Sequence, residues 1–260
     1  MKKILFAASE SVPFIKTGGL ADVVGSLPKN FDKEEFDVRV ILPKYACMKA
    51  EWKEKLQYKT HFYMDFYWKD RYVGILETEL DGVKFYFIDN EDYFNGDKPY
   101  TSNGIWDIER FAFFSKAVLC ILPVIDFKPD VIHCHGWISH VLPAYLKKAY
   151  IDDPIFSNSK IVLSLYDDMP ETDFAADFKE KILFGGVTEE DVKILETPSG
   201  INLAKLAANW SDGIILGSEN ISEELVQYCK DSGLPLMEYN AEALQNGSYV
   251  EDYNSFYDNL

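Results

Sequence analysis

The chain has 260 residues, 47% hydrophobic and 15% aromatic, which is ample material for a buried core and excludes a disordered polymer. Its 26 basic residues against 43 acidic ones leave a formal charge of -17, which repels a phosphate backbone and excludes nucleic acid as a partner. The longest uncharged apolar run, Ala117 to Ile125, is far below the roughly 18 to 20 residues of a membrane span, so no membrane partner is expected.

In chain order, Lys3 to Ala8 reads as a buried strand, and Leu20, Val23, Val24 and Leu27 then repeat at helical spacing. Phe36 to Leu42 is the next strand, closed by Pro43, so the opening is a parallel β-α-β unit. Tyr72 to Ile88 places Asp81-Gly82 between two β-rich runs, a hairpin signal and an antiparallel excursion. Asp107 to Ile125 is helical, "VIHCH" at Val131 to His135 is a buried strand, and Trp137 to Tyr150 reads as a helix. Strands at Ile161 to Leu165 and Gly213 to Leu216 then alternate with helices at Leu203 to Trp210 and Ser222 to Lys230. Pro170 to Ser199 is polar and Gly-containing and reads as a surface insertion with a short helix. The expected class is α/β: a single Rossmann-like domain over residues 1–232, mostly parallel sheet with helices on both faces. An acidic, aromatic tail follows over 233–260, packed or partly loose, with a short helix near Ala241 to Leu244.

Cys47, Cys120, Cys134 and Cys229 lie far apart, with no CxxC pair and no close His/Cys spacing, which points to a reduced, cytoplasmic protein without a metal. No cofactor is expected. No Gly-x-Ser-x-Gly elbow follows a strand, so a hydrolase is not supported.

The stretch with chemical content is "FIKTGGLADVVGSLP" at Phe14 to Pro28. Gly18 and Gly19 allow close backbone approach, the helix behind them points free N–H groups outward, and Lys16 adds a cation, so a phosphate or diphosphate fits. The competing reading is a tight βα turn that needs glycine only for its geometry.

"KTGGLADVVGSLP" at Lys16 to Pro28 resembles the N-terminal signature of bacterial glycogen synthases and plant starch synthases, retaining glucosyltransferases of family 5 with the GT-B fold. "VRVILPKY" at Val38 to Tyr45, "ERFAFFSKAVL" at Glu109 to Leu119, "PDVIHCHGW" at Pro129 to Trp137 and "LPAYLKKAY" at Leu142 to Tyr150 support the likeness. The resemblance covers the N-terminal half of such enzymes and implies ADP-glucose as donor and an α-1,4-glucan as acceptor. It assigns Lys16, Thr17, Gly18, Gly19 and Asp22 to the donor diphosphate and sugar. Tyr100, Trp106, His135 and Trp137 are the acceptor candidates.

The pattern breaks at three places. The family's His-Asp-Trp is His135-Gly136-Trp137 here, which removes a carboxylate able to hold sugar hydroxyls. The strand ending Thr-hydrophobic-His-Asn aligns with Ser164, Leu165, Tyr166 and Asp167, without the histidine. Ser-Pro-x-Tyr becomes Ser218, Glu219, Asn220 and Ile221, whereas Lys205 and Asp212 keep the family's residue types. No catalytic residue is therefore assigned. Two functions compete: a synthase half, inactive alone and completed by a separate C-terminal domain, or a non-catalytic glucan-binding or regulatory paralogue that pairs with a full-length synthase. A relic with neither role is the third.

Overall fold

Lys2–Ala8 form β1, whose last five residues are all buried, as a strand covered on both faces requires. The structure is a computed structural model and describes residues 1–67, 69–99, 104–168, 174, 175, 177–246 and 248–260. Leu20–Asn30 form α1, which packs Leu20, Ala21, Val24 and Leu27 inward, and Phe36–Pro43 form β2, parallel to β1. A short α2 at Ala50–Lys53 leads to three antiparallel strands, β3 (Gln57–Phe66), β4 (Lys69–Leu80) and β5 (Val83–Asp89). The expected hairpin is β4–β5, turned by Asp81 and Gly82, both at positive φ. β5 runs parallel to β2 and carries this excursion back into the main sheet.

After α3 (Glu91–Phe94) and the long α4 (Gly104–Val124), β6 (Val131–His135) lies on the other side of β1. The helix expected from Trp137 divides in two: a 3-10 turn at Trp137–Ser139, then α5 at Leu142–Lys148. Pro143 explains the restart, because its fixed φ and missing N–H suit the first turn of a helix. β7 (Lys160–Leu165), α6 (Gly200–Asn209), β8 (Gly213–Leu216) and α7 (Glu223–Asp231) complete the parallel series. The stretch between β7 and α6 is more than a surface insertion: Phe178, Ile182, Val192 and Leu195 are all buried, and its described residues carry two 3-10 turns.

The acidic aromatic segment joins the same body. β9 (Leu236–Met237) pairs with β8, and α8 (Ala241–Asn246) and α9 (Tyr249–Asp258) follow. α9 buries Tyr249, Tyr253 and Tyr257, while Lys2 Nζ donates to the Tyr257 carbonyl at 2.9 Å and pairs with Asp258 at 2.7 Å. The described strands run in the order β3-β4-β5-β2-β1-β6-β7-β8-β9. The chain leaves β1 toward β2 on one side and returns to β6 on the other, so the strand order reverses between the parallel neighbours β1 and β6. In open α/β sheets, ligands bind beyond the strand ends at such a reversal. No helix among the described residues is long and apolar enough to cross a membrane.

Candidate functional site

At the carboxyl ends of β1 and β6 the Ser9 N–H donates to the His135 carbonyl at 3.2 Å, and the chain then crosses over α1 before entering it. Val12 N–H donates to the Ala21 carbonyl at 3.0 Å, and this crossing is so close that a Cβ on Gly25 would meet Val12 Cγ2 at 2.3 Å. Glu10, buried at the end of β1, accepts from the Thr17 backbone N–H and from its hydroxyl at 2.6 Å. A buried carboxylate thus fixes the loop from beneath. Glu10 was not among the residues singled out from sequence; its only local sign is a charge directly after an apolar strand.

The loop itself is open. A Cβ on Gly18 or Gly19 would meet nothing within 4 Å, and Gly19 at the start of α1 offers no side-chain cap to the helix N–H groups. Lys16 Nζ pairs with both Asp22 oxygens at 2.7 and 2.6 Å, and both side chains are about half exposed. An exposed pair of this kind contributes little to stability, so Lys16 is easily diverted to an anion. Lys16, Thr17, Gly18, Gly19 and Asp22 therefore form one contiguous surface at the helix N-terminus, where an anionic group meets N–H donors and the positive end of the helix dipole.

His135 and Trp137 lie deeper. Trp137 is buried, with its ring edge against Phe111 at 4.0 Å between centroids. His135 Nδ1 pairs with the Tyr166 hydroxyl at 2.9 Å, so the tyrosine expected to align with a family histidine is bound to the neighbouring strand β6. His133 shares the strand face: its Nδ1 pairs with Tyr257 Oη at 2.6 Å and its Nε2 with Ser164 Oγ at 2.7 Å. Burial holds all three histidines of this region neutral, pushing His135 and His140 down to about 3 and His133 well below its usual value. Tyr100 lies outside the described residues, as does the side chain of Trp106. Of the two residues that matched the family in type, Lys205 pairs with Glu224 at 2.6 Å, and Asp212 pairs with Lys147 and accepts from the Ile161 N–H at 2.8 Å.

Gly136 has φ 79° and ψ 157°, a combination essentially confined to glycine. A Cβ there would fall 2.5 Å from Ser9 Oγ, 2.8 Å from Leu20 Cδ1 and 3.1 Å from Asp168 Oδ2. Both Asp168 oxygens are sealed from solvent and have no side-chain partner, with only the backbone N–H groups of Asp168 and Trp137 near them. Burial pushes this carboxyl up to about 7; the nearby backbone N–H groups of Asp168 and Trp137 oppose the rise, and Glu10 and Asp167 add to it. Asp168 also escaped sequence reasoning, since its approach to Gly136 depends on the pairing of β6 with β7.

A family model of the starch synthase catalytic domain matches residues 3–236. The chain belongs to that family. It is 42% identical to a glycogen synthase of Lachnoclostridium phytofermentans, over 99% of this chain and 55% of the relative. With a glycogen synthase of Lachnospira eligens the identity is 43%, over 98% and 54%. The chain thus spans about half the length of the glycogen synthases it matches. Among solved structures, the catalytic domain of starch synthase IV from Arabidopsis thaliana, bound to ADP and acarbose, superposes with a TM-score of 0.74. It is 20% identical, and the match covers 93% of this chain and 52% of that one. At that identity the likeness establishes the fold of this starch synthase family member, an α/β domain like the N-terminal half of a GT-B enzyme.

Proposed function

We propose that this chain is the donor-loop half of a glycogen or starch synthase, which moves glucose from ADP-glucose to an α-1,4-glucan and does not turn over by itself. The observation that carries the reading is the uncapped start of α1 behind Lys16, Gly18 and Gly19, fixed from below by Glu10 and lying at the sheet reversal. Lys16 and the α1 N–H groups take the diphosphate, Thr17 holds the loop, and Asp22, once released from Lys16, faces the sugar. Departure of a diphosphate asks for more cationic stabilisation than one lysine and a helix end provide, so transfer needs a second half. The acceptor side is assigned to Tyr100, Trp106, His135 and Trp137, as the family resemblance implies.

A non-catalytic reading, an α-glucan-binding or regulatory paralogue paired with a true synthase, is favoured by one observation: Tyr166, which the resemblance aligns with the expected histidine, is held by His135. The two readings part in one experiment. The purified chain is incubated with ADP-glucose and maltohexaose, alone and together with the separately produced C-terminal half of a related glycogen synthase. No transfer is expected alone, and transfer on mixing supports the first reading; Lys16→Ala should then cut the reconstituted rate by about tenfold or more. Saturable maltohexaose binding with no transfer in the mixture selects the paralogue. Turnover by the chain alone removes the claim of dependence on a second half.

A further inference from the structure

We propose that Asp168 supplies the sugar-binding carboxylate of this site, occupying from the end of β7 the space that Gly136 leaves at the end of β6. The inference rests on the reading of the loop as a nucleotide-sugar site and adds to it the residue that recognises the sugar.

Three observations converge on one point in the structure. The Cβ position of Gly136 lies 3.1 Å from Asp168 Oδ2 and 2.5 Å from Ser9 Oγ, so any side chain at 136 would compete directly with the Asp168 carboxylate. Position 136 can therefore hold a carboxylate of its own or admit that of Asp168, but not both. Secondly, the polar groups gathered there are unsatisfied: Ser9 Oγ and both Asp168 oxygens are buried without a side-chain hydrogen-bond partner. Buried polar groups are satisfied in the great majority of cases, and a set of orphans at one place marks a site whose partner comes from elsewhere. Thirdly, Leu20 Cδ1, 2.8 Å from the same point, belongs to the first residue of α1, directly behind Gly18 and Gly19.

The chemistry of this set selects the ligand. A carboxyl group and a hydroxyl gathered at one point suit a polyhydroxy compound, whose hydroxyls both donate and accept. A second phosphate would face Asp168 and Glu10 and be repelled. A glycosyl group whose phosphate rests on the α1 N-terminus is thus directed past Leu20 toward Asp168. The glycines in front have no atom within 4 Å of their Cβ positions, which leaves the loop room to shift as the sugar arrives.

The test is an NMR titration of the full chain with ADP-glucose and, separately, with ADP, in the wild type and in Asp168→Asn. The wild type should bind ADP-glucose more tightly than ADP. At pH 8, where the carboxyl is ionised, Asp168→Asn should reduce that preference by about tenfold, the size expected for a lost hydrogen bond to a charged group, while leaving ADP affinity unchanged. Retention of the preference in a folded Asp168→Asn overturns the proposal and leaves the diphosphate reading standing. Equal weakening of both ligands also overturns it, assigning Asp168 a purely structural role. If the folded wild type binds neither ligand, the loop reading fails and this proposal with it.

Discussion

Gly18 and Gly19 differ from Gly136 in what a methyl group would meet. The first pair has free space and Gly19 has an ordinary helical φ of -67°, so Ala at either position removes freedom from the unfolded chain without a native clash. Gly136 combines positive φ with Ser9, Leu20 and Asp168 at close range. Gly18→Ala and Gly19→Ala should therefore leave the urea midpoint unchanged or slightly raised, whereas Gly136→Ala should lose about 3 kcal/mol. If the paired glycines serve only a tight turn, their alanine variants will lose stability; if they serve a ligand, they will lose affinity for ADP and keep the fold. This pair was legible in the sequence because its chemistry is local: a cation, two glycines and a helix start within a few residues. Glu10 and Asp168 were not legible, because one acts across a loop and the other across a strand pair. Neither relation has a sequence spacing. The glycine at position 136, where the resemblance expects a carboxylate, was readable, but the approach of Asp168 to it was visible only once β6 and β7 lay side by side.

At the scale of elements, α9 shows how composition can hide a periodic signal. Tyr249, Tyr253 and Tyr257 recur every fourth residue, a helical stripe, and all three are buried. The intervening acids and asparagines made the segment read as a tail. What the helix covers is specific: the Tyr257 hydroxyl meets His133 on the central strand β6, the Tyr249 hydroxyl meets Asn30 at the end of α1, and Phe256 and Leu260 lie against Gly213 on β8. Tyr257→Phe removes one hydroxyl and leaves His133 Nδ1 buried without its partner, at a cost of about 1–2 kcal/mol in urea denaturation. An unchanged midpoint would mean that α9 rests on the sheet through apolar contact alone. The β strands were far easier to read, because central parallel strands such as β1, β6 and β7 are continuous apolar runs. The stretch between β7 and α6 misled for the opposite reason: its polar residues outnumber the phenylalanines and aliphatics that it sends into the core.

For the molecule as a whole, the balance of buried ionisable groups sets how stability follows pH. His133, His135 and His140 are buried and held neutral, with folded values below the unfolded value of about 6.5. Their contribution is fully present above that unfolded value and is lost as pH falls through it toward about 3. Asp168 works in the opposite sense. Its folded value of about 7 lies above the unfolded 3.8, so its contribution is present below 3.8 and is lost as pH rises through 7. Between pH 6.5 and 4 the native state thus gains from one carboxyl while it loses from three imidazoles, and the unfolded chain takes up protons on balance. Self-repulsion among the acidic residues behind the net charge of -17 weakens as they are protonated, but the many exposed carboxylates titrate mostly below this window. Urea midpoints measured across pH 4 to 8 should accordingly rise from the acid side and level off above about pH 7. In Asp168→Asn the opposing proton is removed, so the acid limb should steepen by about one proton per molecule and the midpoint should still be climbing at pH 7, where the wild type is nearly level. An Asp168→Asn profile parallel to that of the wild type would show that the carboxyl does not titrate in this range, and that the space beside Gly136 is wetter than the geometry makes it.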